Sequence, residues 1–222
     1  MNSIKGLIIK DLSQLKSYKR TLIIFIAIFV LTGIAQENTK GIGNMLVIML
    51  TLGFGMFSIA SFNYDEQAKA DRYILTFPLT KKEIVISKYI LVIGSTIIGA
   101  IVGTIISFAI LFIINKEIPN IQELIAIALG GILGLGIVEG IQIPCIYKWG
   151  AEKGRIQLFI VVAAVALFVT GIFYIGKDIQ LPMNSILNII NSLLPIILIL
   201  ATVIIYYISY RIAYKIYSKK EV

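Results

Sequence analysis

The sequence predicts an all-α integral membrane protein with six transmembrane helices, an N-terminal interfacial helix and a short cytoplasmic helix between spans 2 and 3. Three observations predict it. Of 222 residues, 58% are hydrophobic and only 14% are charged, whereas a soluble domain carries about 45–50% apolar and about 25% charged residues. Uncharged runs recur at close to the ~20 residues that a helix needs to cross a ~30 Å hydrocarbon core. Lysine and arginine are distributed asymmetrically: with the N-terminus inside, only Lys40, Lys116 and Lys177 of the 20 basic residues fall in outer loops. That asymmetry sets orientation in a bilayer and predicts a multi-pass protein of the cell membrane with both termini cytoplasmic.

The elements follow in order. Residues 2–18 read as an interfacial helix, because Ile4, Leu7, Ile8, Leu12 and Leu15 fall on one helical face with Lys5 and Lys16 beside it. Asp11 interrupts that stripe and Ile9 lies outside it, so a basic cytoplasmic tail is the alternative. A signal peptide is disfavoured by the long charged region and by the lack of a clean small-x-small site. Spans are expected at about 21–36, 43–64, 84–115, 121–147, 156–176 and 192–214, forming a single transmembrane domain. The uncharged run 179–210 is too long for one straight span, so its first part, up to Pro195, is expected to form a short outer helix or turn. Arg211, Lys215 and Lys219 recur every four residues among Tyr206, Tyr207, Tyr210, Tyr214 and Tyr217. Anchoring of a helix leaving the bilayer through an aromatic belt accounts for that pattern.

Between spans 2 and 3, DEQAKADRYIL reads as a charged surface helix over 65–76. Phe77-Pro78-Leu79 breaks it, since proline has no amide to donate and disfavours helix before it. Thr80 and Glu83 then form a capping box that starts span 3.

Composition also excludes chemistry. The chain has one cysteine, Cys145, and no histidine, which removes His-based acid–base mechanisms and most zinc sites. A membrane enzyme is therefore the reading ranked last. Cys145 and Trp149 read as interfacial packing. The net charge of +8 is a topology signal rather than a nucleic-acid footprint. No G-x-x-x-x-G-K-[ST] loop is present, and Gly130-Gly131 and Gly134-x-Gly136 lie in an apolar span with no lysine following, so the chain has no phosphate cradle. No cofactor or metal is expected on this chain.

Glu139 is the acidic residue deep in a span. Charge at the bilayer centre costs at least ~2.5–3.5 kcal/mol, so Glu139 is either a cavity residue or conformational latch, or a protonated or hydrogen-bonded structural glutamate. Ser95, Gly99, Gly103 and Ser107, and the pairs Gly130/Gly134 and Gly136/Gly140, form small-residue faces that allow close helix approach.

The stretch NYDEQAKADRYILTFPLTKKEIVISKY, 63–89, resembles the coupling region of ABC-2 type ABC-transporter permeases. Its acidic start, then Phe77-Pro78-Leu79-Thr80-Lys81-Lys82-Glu83 and Ser87-Lys88-Tyr89, carry the likeness. PCIYKWGAEKGR, 144–155, is similar to a proline–lysine–glycine–basic signature of a small six-span subfamily. Permeases of phenol-soluble modulin exporters and of antimicrobial-peptide immunity systems belong to that subfamily. The resemblance implies a homo- or heterodimer of permeases with cytoplasmic ABC ATPase subunits that hold ATP and Mg. It further implies that 65–76 docks on the ATPase, with Asp65, Glu66, Lys69 and Arg72 as polar contacts, Ile74, Leu75 and Phe77 as apolar ones, and Pro78 in the turn. The cargo implied is an amphipathic or hydrophobic peptide, exported from the cell or membrane. A standalone secondary transporter or channel is the alternative. It is disfavoured because only Glu139 is clearly an intramembrane ionisable group and no inverted repeat is visible.

Overall fold

The computed structural model describes residues 2–16, 39–74, 76, 79–115, 119–154 and 183–219, with scattered positions between 20 and 31 and between 156 and 170. Its main helices are α1 (Asn2–Leu15), α2 (Thr39–Gln67), α3 (Ala70–Ile74), α4 (Lys81–Asn115), α5 (Ile121–Trp149) and α6 (Met183–Ser218). Four stretches among the described residues are long and apolar enough to cross a membrane: Gly43–Gln67, Lys81–Ile114, Ile121–Trp149 and Pro195–Ser218. These correspond to the expected spans 2, 3, 4 and 6. The expected spans at 21–36 and 156–176 lie largely outside the described residues.

Helix starts are chemically marked. The Thr80 amide donates to Glu83 Oε2 at 2.9 Å and the Glu83 amide donates to Thr80 Oγ1 at 3.2 Å, the reciprocal pair expected of a capping box. Asn120 caps α5 by accepting from the Gln122 amide at 3.1 Å.

The helices pack through small residues. A Cβ on Gly99 would lie 2.6 Å from Phe54 Cβ, and one on Gly103 would lie 3.1 Å from the Val47 carbonyl oxygen. Ser107 Oγ donates to the Gly43 carbonyl at 2.8 Å. The 99/103/107 face is therefore the seam between α2 and α4. Gly136 and Gly140 face Thr202 and Ile205 and form the α5–α6 seam, while Gly130 and Gly134 have open space above them. One buried cluster unites all the main helices at the end where the termini lie, around Leu7, Phe62, Ile74, Val85, Ile143, Ala213 and Tyr217. A second, with Val47, Ala100, Leu111 and Leu124, lies at the other end.

Four expectations are corrected. The helix expected over 65–76 is not continuous. Asp65–Gln67 close α2, Ala68 and Lys69 turn with Lys69 at φ 48°, and α3 follows. Asp65 is drawn into the bundle by ion pairs, so the chain leaves the α2 axis only after it. No break precedes Pro195; α6 runs through it from Met183. Proline removes a single backbone bond, and membrane helices tolerate that loss, so the long apolar run becomes a longer helix. Leu12 does not share the inward face of α1 with Leu7 and Asp11 but is half exposed, while Ile9 lies outside that face as its position predicts. Finally, the tyrosine belt splits. Tyr206, Tyr210 and Tyr217 pack inward against the core and Tyr207 faces out.

Candidate functional site: the ion cluster and the coupling face

Three helices place charge at one buried point. Lys88 of α4 reaches Asp65 of α2 at 2.6 Å and Asp11 of α1 at 3.0 Å. Lys88 also donates to Ser61 Oγ at 3.1 Å and lies 5.0 Å from the Phe62 ring centroid. Lys10 reaches Asp65 at 2.7 Å and Asp11 at 3.1 Å. Gln14 Nε2 adds a bond to Asp65 at 3.3 Å. Asp11 is only 1% exposed and Lys88 5%. Two cations and two anions form a neutral quartet, the arrangement that offsets the several kcal/mol of desolvating each ion. Burial presses the Lys10 ammonium down, but the hydrogen bond to Asp65 and the charges of Asp11 and Asp65 outweigh it and hold Lys10 above the ordinary lysine value.

Glu66, next to Asp65, points the other way. Its Oε2 accepts from the Ala151 amide at 2.6 Å, satisfying a free N–H at the start of the helical segment 151–154. Gly150 makes this approach possible. Its φ of 88° and ψ of 165° fall in a region that only glycine adopts freely. A Cβ there would lie 2.6 Å from Glu66 Oε1. The end of α2 is thus tied to α1, α4 and the segment after α5. A cavity of about 310 Å³ opens beside it, lined by Phe62, Asp65, Glu66, Lys88 and Trp149 among others.

The predicted coupling residues separate on this frame. Asp65 is committed to the quartet and Glu66 to Ala151. Lys69 is exposed in the turn. Ile74 is buried in the core rather than offered as an apolar contact. Leu75, Phe77, Pro78 and the side chain of Arg72 lie outside the described residues. Tyr73, which sequence reasoning missed, is 69% exposed on α3. Lys10 and Asp11 were also missed as partners. The signal for them was the aspartate breaking the apolar stripe of α1.

The Ser87-Lys88-Tyr89 triplet serves three local purposes. Ser87 Oγ donates to the Ile84 carbonyl within its own helix, Lys88 holds the quartet, and the hydroxyls of Tyr89 and Ser209 share a 2.5 Å hydrogen bond that links α4 to α6. Deeper in the bundle, Glu139 is 2% exposed. It accepts from Thr96 of α4 at 2.8 Å and from Tyr206 of α6 at 3.1 Å, and Gly55 of α2 leaves it room. Its contacts join four helices at one point. No group of three or more Cys, Asp or Glu side chains suited to a metal occurs among the described residues.

The chain matches the family model described as ABC-2 family transporter protein over residues 6–218. No curated protein and no solved structure matches it. The match spans nearly the whole chain and accords with its apolar membrane-crossing helices: this chain belongs to the ABC-2 family of transporter proteins, as a multi-pass membrane component of transport.

Proposed function

We propose that the chain is the six-span permease subunit of an ATP-driven ABC exporter, working as a dimer with cytoplasmic ATPase subunits and moving amphipathic or hydrophobic peptides outward. ATP and Mg are held by the ATPase. The ATPase docks at the α2–α3 turn, where Lys69 and Tyr73 are exposed, and we assign Arg72, Leu75, Phe77 and Pro78 to the same contact from the sequence. The observation that supports this most is the pair of ties made by Asp65 and Glu66. They bind the turn to α1, α4 and the segment after α5, so force applied at the turn reaches several helices at once. Asp65 and Glu66 act in this reading as transmitting residues rather than as contacts. The one-sided Lys/Arg distribution supports cytoplasmic termini, and the apolar character of the spans suits a cargo that enters from the lipid.

The test is affinity purification of the solubilised protein from its native cell, with wild type beside Lys69→Glu/Tyr73→Ala. An ABC ATPase should accompany wild type in near-stoichiometric amount and drop at least several-fold with the double variant, whose thermal stability should match wild type because both side chains are exposed. Absence of any ATPase, with the chain alone moving peptide into liposomes, would establish the secondary-carrier alternative instead.

A further inference from the structure

A groove of about 420 Å³ runs between α5 and α6. Gly140 and Pro144 of α5 line it, and Ile205 packs directly over Gly140. Its walls are apolar, with Ile141, Ile205, Ile208 and Ile212 along its length. Its one hydroxyl, on Ser209, is already bonded to Tyr89. One end is different. There Lys148 and Trp149 line the opening, with the Lys148 ammonium 4.6 Å from the Trp149 ring centroid and Trp149 46% exposed. Arg211 and Lys215, both exposed, stand within one turn of Ile212 and Ile216 and add positive charge at that end. Among the described residues no carboxylate lines the groove.

An apolar trough between two membrane-crossing helices that ends in a cation and an indole fits one kind of molecule closely. From this we propose that the α5–α6 groove holds an anionic phospholipid, with its phosphate on Lys148, its glycerol region against Trp149 and one acyl chain along Ile205, Ile208 and Ile212. The charge decides the class. A lysine at a membrane surface favours anionic over zwitterionic headgroups, and a tryptophan at the headgroup level is a stable interfacial anchor. The lysine lies on the side that the Lys/Arg asymmetry assigns to the cytoplasm, so the lipid is one of the inner leaflet. The inference rests on that orientation and on the membrane setting, not on the ATPase or the cargo.

Trp149 is the sole tryptophan of the chain, so its fluorescence reports the mouth of the groove alone. The purified full chain is reconstituted in vesicles of brominated phosphatidylglycerol or brominated phosphatidylcholine at varied mole fraction, and quenching is converted to a relative binding constant. The expected preference for the anionic lipid is about fivefold, the effect of roughly one well-placed basic residue. Lys148→Arg should keep that preference and Lys148→Gln should lower it severalfold, to the remainder that Arg211 and Lys215 supply, with Trp149 still quenched by both lipids. Equal quenching by the two lipids in wild type, a preference unchanged by Lys148→Gln, or no quenching at all because something else covers the groove would each overturn the proposal.

Discussion

Lys88 shows how one side chain can hold a membrane bundle together. An ammonium this deeply buried has little water to hydrate it, and its partners are Asp11, Asp65 and Ser61. Truncating one member of such a set leaves an uncompensated charge, at a typical cost of about 3–5 kcal/mol, whereas replacing both members of a pair by apolar groups is often neutral. Lys88→Met should therefore lower the thermal unfolding temperature in detergent sharply. Asp11→Leu/Lys88→Met should recover most of the loss, because Lys10 and Asp65 still pair at 2.7 Å. A double variant no better than the single one would mean that the quartet is not an energetic unit. This pairing was only half legible. The sequence flagged Asp11 as a fault in an apolar stripe and Lys88 as part of a motif, but nothing local connects residues 77 positions apart.

At the scale of elements, sequence patterns read best where the physics is local. The capping box at Thr80 and Glu83 needs only neighbouring atoms, and it lies where its spacing predicts. So do the small-residue seams at Gly99 and Gly136, since close approach is written in the residue type. The surface helix failed for the opposite reason. Its charges suggested a solvated helix starting at Asp65, yet tertiary ion pairs hold that residue in α2 and defer the turn to Lys69. The direction of the tyrosines on α6 was hidden likewise, because it depends on which ring meets Tyr89 or Tyr147. The link between Glu66 and Ala151 makes a specific demand on Gly150. Gly150→Ala introduces both backbone strain of about 1–3 kcal/mol and a carbon 2.6 Å from a carboxylate oxygen. The variant should be less stable by about that amount, measured by thermal unfolding. In the complex with an ATPase proposed above, transport per ATP hydrolysed should fall. An unchanged ratio would show that the tie is structural only.

Across the whole molecule, Glu139 is a clasp at the point where four helices come close. Its two carboxylate oxygens each accept one bond, from Thr96 and from Tyr206. Glu139→Leu removes both acceptors; the Thr96 hydroxyl can still donate to the Val92 carbonyl at 3.0 Å, but the Tyr206 hydroxyl loses its partner. A buried donor left unsatisfied costs about 1–3 kcal/mol. The variant should unfold at lower temperature, and Tyr206→Phe added to it should cost little more, since the lost bond is shared. Additive losses from the two changes would mean that Glu139 and Tyr206 act separately. The four-helix junction was not visible in the sequence, which shows a single acid in an apolar span without its partners.

The quartet also fixes the order in which the protein can be built. Asp11 emerges from the ribosome long before Asp65, and Lys88 follows both. Until Lys88 is made, the two aspartates have only Lys10 between them. Until then the N-terminal helix is held to the end of α2 by Lys10 and Gln14 on Asp65. Arrival of α4 then completes the quartet and locks three segments in one step, before α5 and α6 have been made.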